Sequence, residues 1–208
     1  MAQDSISKVK LKISLKKIAL VFVILAIPFV VYLLFLYVVP ISTWAYEGRP
    51  VGFTINLREA QKIPIISNGA RSDADANTRD ALVRDDVKNI TFLFKPTDEK
   101  NNTLYLLEES EIIRALTFAY LYSPRLQIHQ LPAFNAQIID SYSNITASQL
   151  NPKIVLVHPN YGNQTLVKQD GYIVYVEARN ANNFNSDKTQ FDLSAVRLMM
   201  AILSIKIS

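Results

Sequence analysis

Three short apolar runs of this chain end in a residue followed by proline, at Lys95-Pro96, Leu131-Pro132 and His158-Pro159. Beyond these breaks stand residues whose types can do chemistry: Lys95, Thr97 and Asp98 after the first, His158, Asn160 and Tyr161 after the last. Lys95 and His158 can hold an anion or move a proton, and the hydroxyl, carboxyl and amide groups beside them can fix a polar ligand. Ligands of an open α/β sheet collect where parallel strands end along one edge. These six residues are therefore the expected ligand-binding site. The competing account is that prolines end strands and polar residues fill loops.

Other chemistry is thinly supported. The chain has two histidines, His129 and His158, and no cysteine, so disulfides, thiolate metal sites and cysteine nucleophiles are excluded. His129 lies in an apolar run and reads as a hydrogen-bonded structural residue. The serines stand in no nucleophile-elbow context, so no catalytic residue is assigned and an enzyme is neither indicated nor excluded. With five glycines and no glycine-rich phosphate loop, no cofactor is expected. Asp73-x-Asp75-x-Asn77, with Asp80 after it, has the alternate oxygen spacing that opens a calcium loop. The pattern then departs from that loop, with Thr78 where the turn needs glycine and Arg84 where a bidentate glutamate should close the site. These four residues are a weak calcium candidate, and no other metal site is expected. Four glycosylation sequons begin at Asn89, Asn101, Asn144 and Asn163.

All these groups follow one long hydrophobic segment. Ile18 to Val39 holds no charged residue, and a helix of that length spans roughly 33 Å, about the hydrocarbon thickness of a bilayer. It reads as a transmembrane helix. Lys8, Lys10, Lys12, Lys16 and Lys17 precede it against Asp4 alone, which keeps residues 1–17 cytoplasmic and sends the rest outside as a type II, single-pass protein. A signal peptide cut near Thr43-Trp44-Ala45 is the alternative, but its apolar core is usually shorter. The net charge of +4 sits wholly in this tail, because the remaining chain balances 17 basic against 17 acidic residues (22 − 5 and 18 − 1). Anionic lipid explains such a tail, and nucleic acid is not an expected partner.

The elements that must position the candidate site follow from periodicity. Residues 40–88 read as a juxtamembrane connector and an exposed loop, the latter over 67–80; Val51–Leu57 and Ile63–Ile66 are ambiguous strand patterns. Residues 89–208 read as one extracytoplasmic domain. Ile90–Phe94 predicts a buried strand, Leu106–Tyr122 an amphipathic helix with Glu108, Glu109 and Glu111 near its start, and Leu126–Leu131 a second, parallel strand. Phe134–Ile139 is read towards a second helix. Lys153–Val157 predicts a buried strand, and Gln164–Lys168 with Tyr172–Glu177 a hairpin turning at Asp170-Gly171. Thr189-x-x-Asp192 resembles a capping box opening a last helix over 191–205, apolar on nearly every side.

The expected fold is thus α/β, a transmembrane helix followed by a single domain with a mostly parallel sheet and an antiparallel hairpin edge. The expected function is an accessory or structural subunit of an envelope or membrane complex, partnered by lipid and a membrane protein. The alternative is a ligand-binding or catalytic domain working at the strand C-terminal edge.

Overall fold

The computed structural model describes residues 41–207. The hydrophobic run 18–39 and the tail before it lie outside the described residues. Among those that are described, no helix is long and apolar enough to cross a membrane.

The chain enters through a hairpin. β1 (Ser42–Tyr46) and β2 (Arg49–Phe53) pair antiparallel across Glu47-Gly48, whose φ angles of 48° and 74° are both positive, as a two-residue turn between twisted strands requires. Asn56 caps α1 (Leu57–Gln61) by accepting from the Arg58 N–H at 2.9 Å. β3 (Ile65–Ser67) and α2 (Ala74–Leu82) follow. Then come β4 (Asn89–Phe94), α3 (Glu99–Tyr122), β5 (Ala133–Ile138), β6 (Lys153–Val157), β7 (Leu166–Asp170), β8 (Ile173–Glu177) and α4 (Phe184–Ile202).

Six strands form one sheet in the order β3-β7-β8-β6-β4-β5. β8, β6, β4 and β5 are mutually parallel. β7 turns back against β8 through Gly171, at φ 57°, and β3 lies parallel to β7 at the outer edge. Pro40–Ser208 is one unit, an α/β domain with a mostly parallel sheet and an antiparallel hairpin.

Alternation along the strands divides the core in two. Ile90, Phe92, Ile154, Leu156, Val167, Val174 and Val176 face one side and pack with buried residues from all four helices. Leu93, Val155 and Val157 face the other, covered by Ile139, Tyr142 and Ile145 of the β5–β6 connection. The helices therefore lie on one face of the sheet, and a loop screens part of the other. The Leu198–Leu203 run of α4 is buried throughout, a core helix rather than a docking surface.

Several sequence expectations change. Residues 41–88 are not a connector, because Val51, Phe53, Leu57, Ala60, Ala81 and Leu82 join the main core. Within the expected loop, Asp73 caps α2, accepting from the N–H groups of Asp75 and Ala76 at 3.0 and 3.3 Å. Leu126–Leu131 is not a strand: the N–H groups of Gln127 and Ile128 donate to the Asp85 carboxylate at 3.2 and 2.9 Å, leaving no ladder for a neighbour. The strand that follows α3 and pairs parallel with β4 is β5, where a helix was expected. Its residues are almost all exposed, so no buried stripe marked it. α4 starts at the Asn183 cap, and Thr189 lies inside it with its hydroxyl donating to the Asn185 carbonyl at 2.9 Å.

Candidate functional site

Because β4, β6 and β8 are parallel, the loops after Phe94, Val157 and Glu177 leave the sheet on one edge. The first two carry all six residues singled out by the proline breaks. Tyr161 ties them together, its hydroxyl donating to the Pro96 carbonyl at 2.8 Å, while the Lys95 ammonium lies 4.6 Å from the Tyr161 ring centre. Thr97 is occupied locally: its N–H and hydroxyl donate to the Asn102 side-chain oxygen at 2.8 and 3.0 Å, bracing the entry to α3.

His158 is the most enclosed of the six, with no exposed surface. Its ring packs 5.4 Å from that of Tyr105 on α3 and 6.1 Å from that of Phe191 on α4. Nδ1 accepts from the Asn160 N–H at 3.1 Å, which assigns the ring proton to Nε2, a buried atom with no hydrogen-bond partner. Burial lowers its pKa, opposed by the negative charges of Asp187 and Asp98. A neutral imidazole follows.

Both carboxylates line a cleft of about 370 Å³ on the helix side of the edge, together with Asn160, Asn180, Asn182, Asn183 and Phe184. Asp187 is 7 % exposed and accepts from the Ala181 N–H at 2.6 Å. That bond and the positive φ of Asn182, 67°, fold the β8–α4 loop back over the strand ends. Beside the cleft, Gly162 packs against the start of the same loop, where a Cβ would stand 2.2 Å from the Ala178 carbonyl oxygen. Only glycine lets the two loops approach so closely.

The loop 158–163 divides the edge. Asp98 and Asn160 face the helix-side cleft, whereas Tyr161 joins Tyr142, Tyr175 and Lys168 in a separate groove of about 380 Å³ at the loop-covered face. The proline rule missed Asn180, Asn182, Asn183 and Asp187 because β8 ends without a proline. The dense run Asn180-Ala-Asn-Asn-Phe-Asn185 was the available signal.

The calcium candidates do other work. Asp73 caps α2 and takes an ion pair from Lys206 at 3.0 Å, and the hydrogen bond from Lys206 depresses its pKa. Asp75 pairs with Arg197 at 2.6 Å and Asp80 with Arg71 at 2.8 Å. The Asn77 amide bonds the backbone N–H and carbonyl of Arg71. Asp73 precedes the helix, and Asp75 and Asn77 are two positions apart within it, about 200° round the axis, so their oxygens diverge. Among the described residues no group of three or more acidic or histidine side chains is arranged to hold a metal ion. His129 bonds the Tyr120 carbonyl through Nδ1 at 3.3 Å.

Of the sequons, Asn144 and Asn163 are exposed in loops, while Asn89 is half-buried in β4 with its amide donating to Asn151 at 2.8 Å; the Asn101 side chain lies outside the described residues. No protein-family model matches the chain, and no curated protein or solved structure is significantly similar to it.

Proposed function

We propose that this domain is a membrane-anchored binding module, held outside the cytoplasm by the helix 18–39, whose helix-side cleft takes a neutral, hydroxyl-rich ligand of the saccharide class. The carrying observation is the cleft itself: two carboxylates and four asparagines, from the loops that follow three parallel strands and from the first turn of α4, surround one 370 Å³ space. Carboxylate and amide oxygens accept from vicinal hydroxyls, amide nitrogens donate to them, and Phe184 offers an apolar face to a sugar ring.

The test is a glycan array probed with the full chain in neutral detergent, followed by titration of any hit against Asn160→Ala and Asp187→Asn. Each variant is expected to weaken binding about 3- to 10-fold, the value of one hydrogen bond. Unchanged affinity in both variants rules out this cleft.

A second reading, an accessory subunit of a membrane or envelope complex, draws on the open edge of the sheet. β5 has one bonded neighbour, and Ile128, Leu131 and Ile138 are 54, 42 and 60 % exposed in and before it. Purification from native membranes in mild detergent tests it: a partner recovered near one to one, and lost with Ile138→Lys, supports the subunit role, and recovery of the chain alone counts against it.

A further inference from the structure

A second cavity, independent of the cleft, lies where α3 and α4 end. It has a volume of about 240 Å³ and is lined by Trp44 and Tyr46 of β1, Arg79 of α2, Ser123 and Arg125 after α3, and Ser204 after α4. Arg79 is 6 % exposed. Its Nη2 donates to the Ser123 hydroxyl at 3.0 Å and the Tyr46 side chain is a further polar neighbour, while its Nε is buried without any acceptor. Among the described residues no carboxylate forms an ion pair with it; its neighbour Asp80 is committed to Arg71. Arg125, exposed, adds a second guanidinium to the same wall. A buried guanidinium with neither counter-ion nor full complement of acceptors is costly to desolvate.

The helix ends explain part of this. α3 stops at Tyr122 and α4 at Ile202, and the partial negative charge at two C-termini favours a nearby cation. Neither end gives Nε an acceptor. Glu47 also lines the cavity, but it is exposed and forms no ion pair with either arginine. The space holds about eight times the ~30 Å³ that a molecule of liquid water occupies, enough for an oxyanion and the group that carries it.

We propose that this cavity binds a phosphate-type oxyanion, with Arg79 and Arg125 as its two cationic walls and the Ser123 hydroxyl as a further donor. Arginine's planar fork suits several oxygens of one anion, which a lone carboxylate would not fill. Trp44 stands five residues after the hydrophobic run, so the phosphate has two sources to separate, an anionic lipid headgroup or a free phosphate ester.

The first experiment titrates inorganic phosphate into the full chain in neutral detergent, read by calorimetry. Saturable binding is expected, weakened at least tenfold in Arg79→Gln and several-fold in Arg125→Gln. Because Arg125 is exposed, its variant keeps the fold and separates lost binding from lost structure. The source is read by reconstituting the chain in phosphatidylcholine vesicles with and without phosphatidic acid. Phosphate binding blocked only by phosphatidic acid assigns the site to a headgroup, and equal binding in both assigns it to a free ester. Absence of saturable binding, or binding indifferent to both substitutions, overturns the proposal. So does a loss of stability in Glu47→Gln equal to that in Arg79→Gln, because Glu47 would then be the counter-ion.

Discussion

Glu108 on α3 is buried beside the carboxyl of Asp192 on α4, which acts with burial to raise its pKa. It occupies a stripe position between Leu104 and Ile112 and is 1 % exposed, with one carboxyl oxygen lacking any partner. Burial raises its pKa well above the ordinary value, and Asp192 and Glu111 push the same way against Lys188. Burial and the neighbouring carboxyls thus all favour the protonated form of Glu108.

A raised carboxyl pKa means that the folded chain binds more protons than the unfolded one above about pH 4.5, so this pair favours folding at low pH and that contribution falls as pH rises. Glu108→Gln supplies the donor without the proton. Urea unfolding between pH 5 and 8 is expected to show the variant more stable at pH 8, on the order of 1 kcal/mol, with a flatter pH dependence. A variant less stable than the parent at pH 8 would mean that Glu108 is ionised and paired.

His158 acts with the opposite sign. Its lowered pKa means that the unfolded chain binds the extra proton, so stability is complete above about pH 6.5 and declines as pH falls below it. His158→Phe should remove that decline while keeping the packing against Tyr105 and Phe191. His158→Ala opens a cavity there and is expected to cost about 2–4 kcal/mol at every pH. An imidazole that titrates at or above pH 6.5 by NMR in the folded chain contradicts this assignment.

Gly162→Ala forces backbone apart, because the new methyl meets the Ala178 carbonyl. The loss is expected to be about 1–3 kcal/mol, with reduced ligand affinity at the cleft beside it. Thermal unfolding equal to the parent's would show that the loop yields freely.

Glycan occupancy, mapped by mass spectrometry on chain from native membranes, should be highest at Asn144 and Asn163. Asn89 should be sparsely occupied, since its amide is already hydrogen-bonded within the fold. Heavy modification at Asn89 with none at Asn144 would reverse the order derived from exposure.

The polar loops after β4 and β6 were legible because strand ends and loop polarity are local properties, whereas the parallel strand implied by the crossover helix was read at 126–131 and is β5. What divided the loop residues between a cleft and a groove was the path of loop 158–163, set by Gly162 against Ala178, a contact between residues that no local pattern joins. The asparagine run before α4 was visible, but its place over the cleft depended on Asp187 reaching back to Ala181. Arg79 fell within the stretch read as an exposed loop, yet it lies in α2 and is buried where β1 and the ends of α3 and α4 meet.

By itself the sequence determined β4, β6 and the β7–β8 hairpin, where β-branched runs meet proline or a positive-φ glycine, and most of α3, where apolar residues recur every three or four positions. In each, side-chain pattern and burial agree. Only the tertiary structure decided β5, α2 and the environment of Glu108. β5 is exposed on both faces and owes its form to the β4 ladder. α2 is stabilised by its Asp73 cap and by the cations of Arg197 and Lys206, more than 120 residues away. Glu108 is acidic in any sequence, but only burial beside a second carboxyl raises its pKa.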